Sequence, residues 1–167
     1  KEVLEPPVIL FFHGGGWVVG DINSYTKVCA SMAQILESVV ISVDYRLAPE
    51  HKFPAAPEDC YHVAKTLFCD GFPFSAKPEE ITLMGDSAGG NLAAVVSQMA
   101  RDRGEFEVKQ QILLYPATFN DHTPASPFPS VVENGTDYLL TSKRVCDYME
   151  LYESSPADRQ NPYFAPL

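Results

Sequence analysis

The sequence is short of positive charge, of paired cysteines and of long apolar runs, and each shortage removes a class of function. Twelve Lys and Arg stand against 22 Asp and Glu, a formal net charge of −10. Nucleic acids and anionic membrane surfaces call for clustered cations that neutralise phosphates, so neither is an expected partner. No apolar stretch approaches the roughly 18 residues of a membrane span; Val8–Phe12 is the clearest run. The four cysteines, Cys29, Cys60, Cys69 and Cys146, form no CxxC pair and no Cys/His metal spacing, so no metal site is expected. They read as reduced thiols, mostly buried, in a cytoplasmic protein. No leader peptide is visible, although the chain opens on Lys1, which leaves an upstream segment undecided.

What remains is ordinary for a folded domain: 167 residues, 46% hydrophobic and 20% charged, enough to bury a core. Val8–Phe12 is continuously apolar and runs into Gly14-Gly15-Gly16, as a strand buried on both faces would. Tyr25, Val28, Cys29, Met32, Ile35 and Leu36 then fall on one helical face, with Ser24 as the expected N-cap. Val39–Val43 is a second β-rich run. A proline-punctuated loop from Arg46 to Pro57 leads to Cys60, Val63, Ala64, Leu67 and Phe68 at helical spacing. Ile81–Met84 predicts a third strand, Ala88–Arg101 a helix rich in small residues, and Ile112–Tyr115 a fourth strand stopped by Pro116. Strand and helix alternate with crossovers long enough for βαβ units. The pattern therefore predicts an α/β fold with a central, mainly parallel sheet and helices on both faces. After Pro116 a Pro/Ser/Thr-rich stretch precedes one amphipathic helix (Val145, Tyr148, Met149, Tyr152) capped by Thr141 or Ser142. Residues from Pro156 onward read as loop. The expected organisation is a core over 1–116 and a cap-like or connecting segment over 117–167.

The chemistry sits in two loops. Gly85-Asp86-Ser87-Ala88-Gly89 matches G-x-S-x-G, which arises by chance in about one chain in twenty of this length. Here a strand runs directly in and a helix directly out, the context of a nucleophile elbow that presents the Ser87 hydroxyl on a sharp turn. The second loop is His13-Gly14-Gly15-Gly16-Trp17, again straight after a strand. Acyl transfer needs fixed N–H donors where an oxyanion develops, and each is worth about 3 kcal/mol of barrier. Glycines let backbone approach the substrate, so Gly15, Gly16 and Ala88 are the expected donors. Gly14, Gly85 and Gly89 give the two turns their shape. Asp86 reads as an acid placed favourably at a helix N-terminus. His13 reads as a brace for the glycine loop, and Trp17 as a wall of the site or as core. Phe72, Phe74, Phe119 and Phe128 are candidates for either an acyl pocket or plain packing.

HGGGW at 13–17, Asp44-Tyr45-Arg46-Leu47-Ala48-Pro49-Glu50 and GDSAGG at 85–90 together resemble the hormone-sensitive-lipase-like branch of the α/β-hydrolases, which includes bacterial carboxylesterases and arylacetamide deacetylases. The resemblance implies an α/β-hydrolase fold, a Ser–His–Asp mechanism on small, short-acyl esters, and no cofactor. It also implies that Asp44 and Arg46 brace the active-site loops. The motif order of such enzymes places an Asp and then a His after Ser87. The only later histidine is His122, and Asp102, Asp121, Asp137, Asp147 and Asp158 are poor matches in position, so the acid and base are expected beyond Leu167 and the fold incomplete at both ends. Two other outcomes stay open: a ligand binder without turnover, as in the related plant gibberellin receptors, or a fragment inactive by itself. An unfinished sheet edge would favour self-association, and a homo-oligomer is compatible with the pattern.

Overall fold

The computed structural model describes residues 6–70 and 76–167. Four strands, β1 (Val8–Phe12), β2 (Val39–Val43), β3 (Ile81–Asp86) and β4 (Gln110–Leu114), form one wholly parallel sheet in the order β2-β1-β3-β4. Around them run α1 (Ile22–Ile35), α2 (Ala55–Lys65), α3 (Ala88–Arg103), the short α4 (Pro129–Glu133) and α5 (Ser142–Tyr152). Every residue of β1 is buried. Val8, Leu10 and Phe12 enter the core shared with α2 and α3, whereas Phe11 faces the other way and meets Tyr25 of α1 with ring centroids 5.6 Å apart. Helices thus cover both faces, which is why this strand carries no polar alternation.

The register positions the two loops. Phe12 pairs with Gly85 across β1 and β3. Residues after each therefore leave the same edge of the sheet side by side, at the carboxyl ends of central strands where α/β folds place their ligands.

The helical periodicities report shared faces, and the structure decides what covers them. The stripe on α1 is not core: Val28, Ile35 and Leu36 are exposed and α1 has no fully buried residue. Its cap is Asp21, whose carboxylate accepts Ser24 N–H at 2.6 Å, so Ser24 is the capped residue and not the cap. On α5 the expected face holds, with Met149 and Tyr152 buried and Thr141 capping. The fourth strand begins two residues earlier than its apolar run suggests, at Gln110, and has Ile112 and Leu114 exposed at the sheet edge. The stretch from Pro156 is more than loop: Pro156–Gln160 forms a 3-10 turn with a capping box, and Phe164 behind it is buried. Buried Asn91 on α3 holds this segment in place, its Nδ2 donating to the carbonyls of Ala117 at 2.8 Å and Phe164 at 2.9 Å. All four cysteines are free, and of these only Cys60 is buried, fewer than expected.

Arg46 ties its segment to α2 and to neither active-site loop; the contacts with the glycine loop come from Tyr45 and Ala48. Arg46 gives its backbone N–H and Nε to one oxygen of Asp59 on α2, at 3.0 and 2.8 Å, and its terminal nitrogen to the other at 2.7 Å. Asp44 is exposed. Burial pushes the Asp59 carboxyl up, but the hydrogen bonds and charge of Arg46 outweigh it and hold it below the ordinary value. Asp59→Ala is expected to cost about 1 kcal/mol at neutral pH, since the Arg46 side of the pair is solvated. A lowered carboxyl contributes stability above its unfolded value and loses it as pH falls through the folded one. Melting curves of wild type and variant should therefore draw together only as pH falls from the ordinary carboxyl value through the lower folded one; a constant gap at acid pH would assign the loss to packing.

Candidate active site

Ser87 sits at φ 53° and ψ −116°, a conformation that costs a non-glycine residue about 1–3 kcal/mol. The surroundings hold it there: Ser87 N–H donates to Leu114 O at 2.9 Å, and Ser87 O accepts from Asn91 N–H at 3.0 Å and Ala117 N–H at 3.2 Å. The flanking glycines are sterically required. A Cβ on Gly85 would stand 2.3 Å from Gly89 O, and one on Gly89 1.9 Å from Phe12 O. Ala88 opens α3, so its N–H has no partner within the helix.

The glycine loop is equally constrained. Gly15, Gly16 and Trp17 have φ of 128°, 59° and 60°. Gly15 O accepts from Val18 N–H at 3.1 Å and Val19 N–H at 3.0 Å, whereas no acceptor among the described residues takes the N–H of Gly15 or Gly16. His13 is fully buried and serves the loop as a brace: its Nδ1 donates to Gly14 O at 2.8 Å, its carbonyl accepts the Tyr45 hydroxyl at 2.6 Å, and the two rings stack 4.4 Å apart. Ala48 N–H donates to Trp17 O at 2.8 Å. Trp17 lies flat on Tyr152 at 4.5 Å. It is 2% exposed yet still borders the cavity, so it is both wall and core.

The two loops face one cavity of about 580 Å³, bordered by Gly15, Gly16, Trp17, Ser87 and Ala88. Its remaining lining comes from Tyr115, Pro116 and Ala117 after β4, from His122, and from Leu139, Leu140, Arg144, Val145 and Tyr148 at and before α5. Tyr148 covers Gly16 closely enough that a Cβ there would lie 2.6 Å from its ring. No local sequence pattern marked Leu139, Leu140 or Arg144; Tyr148 was legible only as one position on an amphipathic helix. Phe119 and Phe128 pack edge to face on each other at 4.9 Å and do not border the cavity. Phe72 and Phe74 lie outside the described residues.

A base and an acid are not assembled around Ser87 among the described residues. His122 borders the cavity, and its Nε2 is buried without a hydrogen-bond partner. Burial holds its imidazole below the ordinary value, against opposite pulls from the Phe119 backbone and Asp121. Asp121 turns its carboxylate to Thr123 N–H at 2.8 Å. Asp102 is taken by Arg101 and Tyr163, and Asp147 by Lys143. Asp158 accepts from the Ser154 and Ser155 amides. Asp86 is more than a favourable helix-end charge: it accepts Gly14 N–H and the Tyr25 hydroxyl, each at 2.9 Å. No cluster of His, Cys, Asp or Glu among the described residues could hold a metal ion, and no described helix is long and apolar enough to cross a membrane.

Comparison with known proteins agrees with this architecture. A family described as having the alpha/beta hydrolase fold matches residues 9–167. Esterase LipI of Mycobacterium tuberculosis is 40% identical over 158 residues, covering 95% of this chain and 48% of that protein. An ethyl acetate hydrolase of Pseudomonas putida is 34% identical over 165 residues, 98% of this chain and 51% of that protein. Among solved structures, an esterase of Pyrobaculum calidifontis superposes with a TM-score of 0.90 at 43% identity, covering 99% of this chain and 54% of that one. The chain spans about half the length of the curated relatives it matches.

Proposed function

The chain belongs to the α/β-hydrolase fold family, and we propose from that membership that the whole protein is a serine carboxylesterase acting on small esters with short acyl chains. The observation that carries the proposal is the meeting of a strained Ser87 with the unpartnered N–H groups of Gly15, Gly16 and Ala88 around one cavity. Ser87 Oγ attacks the ester carbonyl carbon and its proton passes to a base. The carbonyl oxygen, now negative, is held by the three N–H groups, which point from backbone that cannot relax away. Collapse expels the alcohol, and water then releases the acyl group from Ser87. The relatives are about twice as long, and the proposal places the base and acid outside these 167 residues. Residues 117–167 act as a cap-like segment, since Leu139, Leu140, Val145 and Tyr148 supply apolar wall to the cavity and Arg144 a cation beside them. A cytoplasmic setting fits the four free thiols. The expected ligand is a small ester and no cofactor is required.

Covalent labelling tests this directly. A fluorophosphonate applied to the full-length protein should add to Ser87 alone, read by peptide mass spectrometry. Labelling at a different serine would overturn the assignment. Ester binding with neither labelling nor turnover would identify a ligand binder on the same fold.

A further inference from the structure

Tyr25 belongs to α1, 61 positions from Asp86, yet its hydroxyl reaches that carboxylate, which lies between the two loops. It donates to Asp86 Oδ2 at 2.9 Å, while Asp86 Oδ1 accepts Gly14 N–H at 2.9 Å. One carboxylate thus joins the residue before Ser87 to the residue before Gly15. The contact is built closely: a Cβ on Gly14 would lie 2.4 Å from Asp86 Oδ2. The Tyr25 ring is set against Phe11 and His13, with centroids 5.6 Å from each. Burial, helped by the Asp86 hydrogen bond, pushes its phenol up to about 12, so it remains a donor at every ordinary pH.

The placement of this carboxylate matters chemically. A negative charge beside the loops that must receive a developing oxyanion opposes its formation, and the opposition grows as water is excluded. Donors on both carboxylate oxygens disperse that charge. The Gly14 bond ties the glycine loop to the elbow, which sets the distance between N–H donors and nucleophile, and the Tyr25 bond ties α1 to the same carboxylate.

We propose that Tyr25 is a positioning residue for the reaction at Ser87: through Asp86 it anchors Gly14 and offsets the carboxylate charge next to the oxyanion site. This rests on the hydrolase reading above. Tyr25 does not border the cavity, so its effect is expected in kcat and not in KM.

The test uses the full-length protein and Tyr25→Phe, which keeps the ring and removes the donor. On an aryl acetate, kcat should fall about tenfold with KM changed less than about twofold. Asp86→Asn removes the charge but keeps an oxygen for Gly14 N–H. Adding Tyr25→Phe to Asp86→Asn should therefore lower kcat by less than about twofold, a non-additive cycle that simple packing would not produce. Equal losses in both backgrounds, or a loss confined to KM, overturn the proposal. Hydrogen exchange at the Gly14 amide gives a readout free of turnover and should quicken about tenfold in Tyr25→Phe. Unchanged exchange in an active protein refutes the anchoring. Faster exchange in a protein whose wild type hydrolyses nothing upholds the anchoring and removes the hydrolase reading alone.

Discussion

Ser87→Ala in the full-length protein is expected to lower kcat/KM for short aryl esters by about 10⁴-fold or more, because nucleophile and base act as a unit and the residual rate reflects only binding and oxyanion stabilisation. Ser87→Gly should lose turnover equally, yet differ in stability. At φ 53° the serine pays for a conformation that glycine adopts freely, and the strain is recoverable. The glycine variant should gain about 1 kcal/mol over the alanine variant, measured by denaturant unfolding. Activity surviving in either variant would place the nucleophile elsewhere. Equal stabilities would mean that the hydrogen bonds from Asn91 and Ala117 make this backbone shape costless.

Gly89→Ala should be the most damaging single methyl addition in the core. Its Cβ would stand 1.9 Å from the carbonyl oxygen of Phe12 and 2.7 Å from that of His13, both backbone atoms in or beside the central strand. Neither can swing aside as a side chain would, so α3 would have to separate from β1. The expected cost is about 4 kcal/mol or more, the range reserved for mutations that break a specific packing feature. Soluble expression should drop and the melting temperature fall by more than about 8 °C. Gly104→Ala offers the contrast, since nothing lies within 4 Å of that position; its loss should reflect only the positive φ of 64° at the end of α3. Comparable losses at the two glycines would show that contact with β1 is not what demands glycine at 89.

The parts of this molecule legible in the sequence are those where a local rule leaves few solutions. Val8–Phe12 reads as a strand covered twice, and one of its two neighbours in the sheet proves to be the strand that ends at the elbow. Gly85 and Gly89 flag the elbow because backbone collisions exclude every larger residue. Where a pattern constrains only which residues share a face, reading is weaker. The apolar stripe on α1 is real, but Val28, Ile35 and Leu36 meet solvent, since periodicity does not name a covering element. Contacts between distant segments leave no local trace at all. Tyr25 and Asp86 are 61 positions apart, and Phe164 reaches the core from a stretch with no helical or strand repeat. Nor does the sequence announce that Tyr148 lies over Gly16; it takes the packing of Met149 and Tyr152 to aim the helix.

The two bonds from Asn91 have a consequence for how such a molecule changes over time. Ala117 and Phe164 are gripped by the same amide, and Leu167 N–H meets Thr118 O at 3.1 Å, so the polypeptide between them departs from and returns to one point on the helix behind Ser87. Within that excursion Met149 and Tyr152 belong to the core, Tyr152 stacks on Trp17 and Tyr148 lies over Gly16, so the stretch before α5 can vary in length while the helix itself cannot. Variation in that stretch reshapes the cavity wall at Leu139 and Leu140 while the turn at Ser87 stays where Leu114 and Asn91 hold it.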